Sequence, residues 1–261
     1  MNTVDFGLGS LEQDFWRVAF LMIRIGAAFL VAPFFGAASV PAMARTCLAG
    51  AVAIFVAAWF PAITPPASLF SAYGLLAVAG EVLVGLALGF ALQLVFAAPV
   101  VAAEVISGSM GMSMAMAADP GTGGQTTAFG QYFTVVLTLI FLATGAHLQF
   151  IAVLVESYRT FPPGQTWLGA DRIAMIGGFA GTMFQAALTI ALPVALILLL
   201  VQIVTGVLSR SAPALNLFAL GLPAGVMAGI AALIVAAPLL YDQMAGLAEE
   251  GVAQSAAVIA R

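Results

Sequence analysis

The chain has 261 residues, of which 63% are hydrophobic and only 7% charged. Soluble domains carry about a quarter charged residues, so this composition excludes an ordinary soluble protein and points to an integral membrane protein. The formal net charge is −4 and every basic residue is arginine, which leaves no basic patch for nucleic acid. A single cysteine, Cys47, excludes an internal disulfide and any multi-cysteine metal site. Set in an apolar run, it reads as a buried, inert thiol.

Residues 1–13 form an acidic N-terminal segment in which Asp5 and Glu12 precede the first arginine, Arg17. A secretory signal needs a basic start, so this segment is expected to be mature protein. Apolar runs of about 20 residues, enough to cross a bilayer as a helix, recur from there on. They predict helices over Asp14–Phe35, Arg45–Phe60, Leu69–Ala98, Val100–Ala118, Thr127–Tyr158, Asp171–Ser209 and Ala214–Met244. Pro193, in "TIALPVALILLL", is expected to kink or divide the sixth of these. "FPAITPPAS" (Phe60–Ser68) is a proline turn, "RTFPPGQTWLGADR" (Arg159–Arg172) the longest hydrophilic loop, and "SRSAP" (Ser209–Pro213) a charged connector holding Arg210 and Pro213. Residues 242–261 read as an acidic amphipathic tail with Glu249 and Glu250 on a solvated face. No repeat or composition shift marks a boundary, so the expectation is one all-α, polytopic membrane domain over residues 1–261.

Arginine asymmetry gives only weak support for an orientation with the acidic N-terminus outside. Placing Arg45 and the Arg159–Arg172 loop inside puts Arg210 outside and the acidic tail inside. Helical hairpins that enter the membrane without crossing it would account for such a count.

Glycines four apart share a helical face and let two backbones approach closely, which stands in for the hydrophobic drive that lipid removes. "GLALG" carries this spacing at Gly85 and Gly89, "GGFAG" at Gly177 and Gly181, and "GLPAGVMAG" at Gly221, Gly225 and Gly229. The spacing leaves open whether these faces meet this chain or another.

Few charges fall inside apolar segments. Arg17 and Arg24 are seven apart and share a face of the first helix. Glu81 and Glu104 have no neighbouring counter-charge in sequence. A bare ion in hydrocarbon costs about 2.5–3.5 kcal/mol on insertion scales, so each needs a partner or water. These groups line a polar conduit or proton relay, or they pair to hold a bundle together; pairing is the favoured reading for Arg24 and Glu81, whereas Glu104 fits both. His147, in "LATGAHLQF", is the lone histidine and reads as a structural hydrogen-bonding group. No nucleophile motif, metal-ligand cluster or phosphate-cradling glycine loop is present, so neither catalysis nor a cofactor is expected.

"GSMGMSMAMAADPGTGGQT" (Gly108–Thr126) is the most unusual stretch. Met110, Met112, Met114 and Met116 alternate with Gly111, Ser113 and Ala115. On a helix they form two nearly opposite stripes, and on an extended chain they line one side. The helix must end before Pro120, because Asp119 is pushed toward an extended conformation. Gly121, Gly123 and Gly124 then permit a tight reversal, and Thr126 or Thr127 can cap the next helix. Two readings stand: a helix end with gap-filling methionines, or a deformable constriction that seals a pore and yields to a bulky passenger.

The order of motifs resembles the FliR family of flagellar export-gate subunits, whose relatives serve type III secretion injectisomes. The resemblance runs over nearly the whole chain, through Arg24, "APFF" (Ala32–Phe35), "VPAMAR" (Val40–Arg45), "GEVLVGLALGF" (Gly80–Phe90) and "AEVISGSMGMSMAMAADP" (Ala103–Pro120). It continues through "GAHL" (Gly145–Leu148), "SYRTFPPG" (Ser157–Gly164) and "GVLSRSAPALNLFALGLP" (Gly206–Pro223). It implies a non-enzymatic, cofactor-free subunit that assembles with FliP and FliQ into a helical, tapering complex of hairpin-like helices, and that meets FlhB and FlhA. The complex stands in the bacterial inner membrane, among its lipids, at the flagellar basal body. Unfolded polypeptides pass through it, driven by other components and the proton-motive force. By the same resemblance, residues 108–125 form a plug beside a methionine gasket from FliP. The chain departs from the family pattern at Ser109, where glutamine is frequent, at Ala146, in the reduction of a basic cluster to Arg45, and in the number of plug methionines. A solute or proton transporter using Glu81, Glu104 and the arginines is the competing class, and an injectisome gate is the competitor within the same class.

Overall fold

The computed structural model describes residues 10–66, 71–112, 127–164, 169–211 and 217–260. Seven helices and no strand occur among them: α1 (Ser10–Val31), α2 (Ala42–Trp59), α3 (Ala72–Ser109), α4 (Ala128–Ala143), α5 (Ala146–Thr160), α6 (Ala170–Ser211) and α7 (Leu217–Ile259). Four of these, α2, α3, α6 and α7, are long and apolar enough to cross a membrane, and α4 with α5 adds a fifth if the pair counts as one broken span. The chain is an all-α, polytopic membrane protein.

Several boundaries differ from those the apolar runs predict. Residues 69–98 and 100–118, expected as two helices, are one helix to Ser109 that continues through Pro99. Proline removes one backbone donor, and the adjoining turns hold the helix together across that single loss. Pro193 likewise lies inside the undivided α6, and Pro223 and Pro238 lie inside α7. The expected helix over 127–158 is broken instead: Gly145 takes a left-handed conformation (φ 73°) between α4 and α5. The acidic tail is no separate segment, since α7 runs on to Ile259 with Val252, Ser255, Val258 and Ile259 buried and Glu249 and Glu250 exposed. Cys47 is not buried as expected but lies on the exposed face of α2, opposite the Ala49, Val52, Ala53 and Val56 face that packs on this chain.

The chain divides into two compact units, Met1–Val95 with Gly145–Ala180 and Glu249–Arg261, and Phe96–Thr144 with Gly181–Ala248. Three of the divisions fall within α3, α6 and α7, so no linker composition marks them in the sequence. In the first unit α1 packs on α2, and Phe34 takes a left-handed conformation (φ 67°) after Pro33. That turn folds Phe35 back to stack on Phe29 at 4.6 Å and to lie 6.1 Å from Phe150. In the same unit Arg17 donates to the carbonyls of Ala57 (2.9 Å) and Phe60 (2.6 Å), closing the end of α2. Arg172 does the same for α7, at Val258 O (2.9 Å) and Ala260 O (3.0 Å).

In the second unit α6 buries Met183, Ala187, Ile190, Val194 and Leu198. Their spacing of three and four marks one face of a helix whose sequence is apolar all round. The opposite face exposes Leu188, Leu192, Leu196, Leu199 and Ile203.

Candidate functional site

In the first unit, Arg24 and Glu81 are both fully buried. The guanidinium meets the carboxylate through two bonds, Nε to Oε2 (2.8 Å) and Nη2 to Oε1 (2.9 Å). Its remaining donors reach Ser157 O (2.8 Å), Ser157 Oγ (3.1 Å) and Phe161 O (2.9 Å). The ring of Tyr158 lies 4.2 Å from the guanidinium carbon, and its hydroxyl donates to Leu21 O at 2.6 Å. This cluster ties α1, α3 and α5 through one satisfied cation, as a buried charge requires. Glycine makes the approach possible: a Cβ on Gly85 would overlap Arg24 O, and one on Gly89 would lie 2.5 Å from Ala28 O. The GLALG face thus meets the backbone of α1 in this same chain. By contrast, a Cβ on Gly177 or Gly181 would meet open space.

The second unit holds the described part of the methionine stretch. Residues 113–126 lie outside the described residues, and with them Met114, Met116, Asp119, Pro120, Gly121, Gly123 and Gly124. Gly108, Met110, Gly111 and Met112 are described. Helix α3 ends at Ser109, earlier than the expected Ala118, because Gly111 turns left-handed (φ 83°) and donates to Gly108 O at 3.0 Å. A left-handed glycine just past the last helical residue is a common helix stop.

Both sides of the stretch are tied to one another. Glu104 Oε1 accepts from the backbone N–H of Thr127 at 3.0 Å, and the Ser107 and Thr127 hydroxyls lie 3.4 Å apart. Thr127 is the N-cap of α4, its Oγ1 accepting from Gly130 N at 3.1 Å. Glu104 is exposed and near a helix N-terminus, where a carboxylate is electrostatically favoured.

Met110 is 2% exposed. It lies against α7, where a Cβ on Gly225 would come within 2.9 Å of Met110 O, and one on Gly229 would overlap the Met110 Cε and sit 2.7 Å from its Cγ. Gln202 of α6 donates from Nε2 to Ser109 O at 2.6 Å. Gly221, one turn before Gly225, is half-buried.

The other residues singled out in the sequence lie elsewhere. His147 is half-buried in the first turn of α5, and Arg210 is exposed in the last turn of α6. Pro213 lies outside the described residues. Among the described residues no three of histidine, cysteine, aspartate and glutamate come together to hold a metal. Ser107, Gln202, Ser157 and Tyr158 join these sites with no role expected for them from the sequence. Gln202 carried a usable signal, a lone amide in the apolar run "LLLVQIVTG". The Ser157 carbonyl carried none, since backbone acceptors have no sequence signature.

A profile of the family described as "Bacterial export proteins, family 1" matches residues 15–251. The flagellar biosynthetic protein FliR of Escherichia coli (strain K12) is 31% identical over 238 residues, covering 91% of this chain and 89% of that protein. FliR of Bacillus subtilis (strain 168) is 32% identical over 238 residues, covering 90% and 91%. FliR of Aquifex aeolicus (strain VF5) is 31% identical over 221 residues, covering 85% of each. With the profile spanning most of its length and full-length relatives above 30% identity, the chain belongs to the bacterial export protein family 1, the family of the flagellar biosynthetic protein FliR.

Proposed function

We propose that this chain is a non-enzymatic subunit of the flagellar type III export gate. With FliP and FliQ, and in contact with FlhB and FlhA, it forms the channel through which unfolded flagellar proteins cross the bacterial inner membrane. The stretch beginning at Met110 is the soft seal of that channel, with Met112, Met114 and Met116 as its further sulfur side chains. One observation carries the reading: α3 stops at a left-handed glycine, with the methionine stretch launched from a base tied by Glu104, Ser107 and Thr127. Such a base lets unbranched, polarizable side chains re-pack around passengers of varying shape while their root stays in place.

The transporter reading draws no support from Arg24 and Glu81. A bidentate pair with backbone carbonyls on the remaining guanidinium donors leaves no site for a solute. The relatives' flagellar names favour the flagellum over an injectisome.

The test is deletion of this chain in its own host, with filament protein in the medium and swimming as readouts. Loss of both, restored by the wild-type chain, is the expected result. Normal filaments with loss of another secreted protein would move the chain to an injectisome, and undisturbed secretion would remove it from export altogether.

A further inference from the structure

Met110 is held differently from an ordinary core methionine. Its backbone carbonyl and its side chain both lie on α7, in a notch open only because residues 225 and 229 are glycines one turn apart. The carbonyl immediately before it, Ser109 O, is at the end of α3, where helix carbonyls lack partners of their own. Gln202 supplies that partner at 2.6 Å from a helix that is otherwise apolar there. Three contacts from two helices of the second unit therefore converge on two consecutive residues, at the point where the methionine stretch leaves α3.

We infer that Gln202, Gly225 and Gly229 are positioning residues: they seat Met110 and so hold the base of the export seal in its resting place. The inference rests on the gate reading above and adds its control element. The two glycines do different work. At 225 the near atom is backbone, so the position tolerates no added carbon without a shift of the chain. At 229 the near atoms are Cγ, Sδ and Cε of a side chain with three rotatable bonds, which can leave the notch. The seat is thus fixed in place at one end and releasable at the other, and a passing polypeptide that displaces Met110 meets one hydrogen bond and one side-chain contact, both reversible. Loss of one neutral hydrogen bond shifts a two-state equilibrium by about fivefold, which sets the scale of the effect.

The test uses the deletion host complemented with Gln202→Met, Gly229→Ala, Met110→Ala and the double variant Gly229→Ala with Met110→Ala. Passive sodium leak across the resting membrane and filament-protein export are measured together. Gln202→Met keeps length and volume but removes the donor. The expected result is a resting leak raised by about fivefold in Gln202→Met and in Gly229→Ala, with export within about twofold of wild type, because the channel still forms. The double variant should leak no more than Met110→Ala alone, since Gly229 acts only through Met110. Unchanged leak in Gln202→Met and Gly229→Ala, or additive leak in the double variant, would overturn the seat. If Gly229→Ala is absent from the membrane, Gln202→Met decides alone, as it adds no volume. A merely structural role would lower export and chain abundance without raising leak. Failure of the gate reading itself would look different: filament export would survive deletion of the chain.

Discussion

The glycines at 85 and 89 and those at 225 and 229 share one spacing and do opposite things. On α3, Gly85 and Gly89 meet backbone atoms of α1, beside an arginine–glutamate pair fully withdrawn from solvent. Nothing in that contact can move without moving a helix. On α7, Gly229 meets the side chain of a methionine from Cγ to Cε, beside single hydrogen bonds at Gln202 and Glu104. The first is a permanent joint and the second a releasable seat. The same small-residue spacing therefore specifies close approach alone, and the atom that fills the space decides whether the contact can open.

This contrast is broken most strongly at the joint. Glu81→Ala or Arg24→Ala leaves one buried charge uncompensated, at a cost of about 3–5 kcal/mol, so little folded chain should reach the membrane by immunoblot and protease resistance. Replacing both by apolar residues of similar size should cost less than either single change. Next comes Gly89→Ala, whose added carbon meets the Ala28 carbonyl. Overpacking of about 1–3 kcal/mol should lower the thermal midpoint of the purified complex in detergent. Thr127→Ala removes the cap of α4 at about 0.5–2 kcal/mol, with a smaller midpoint shift. Smallest in stability is Gly229→Ala, at the low end of about 1–3 kcal/mol for overpacking, because its added carbon meets a side chain with three rotatable bonds and not backbone. A midpoint drop as large for Gly229→Ala as for Gly89→Ala would erase the distinction between joint and seat.

Membrane character was legible because long apolar runs need no partner to be recognised, but the division into helices was not, since α3 joins two expected helices and α4 with α5 divides one. The break expected at residue 99 and the division allowed for at Pro193 do not occur, since each proline removes only one donor from a helix whose neighbouring turns persist. Gly145 was the quieter residue and the true break. The need of Arg24 and Glu81 for partners followed from the cost of a bare ion, but their partnership spans 57 positions and no local pattern encodes it. The burial stripe of α6 was hidden because both faces of that helix are apolar, the buried one and the exposed one alike. In the methionine stretch, the helix stop was expected from Asp119 and Pro120, whereas Gly111, through its left-handed φ, ends α3 first. The seat for Met110 is a tertiary contact among three helices; the sequence showed the Gly225 and Gly229 spacing but not what fills it.

The central claim is that unfolded protein passes beside the end of α3, and a site-specific crosslink tests it most directly. A photoreactive residue replaces Met112, half-buried beside the turn, or Trp59, on the outward face of α2, in a host exporting a filament protein arrested by a domain that resists unfolding. The account predicts a covalent product with the arrested chain at position 112 and none at position 59. No product at 112, or equal products at both positions, would contradict it.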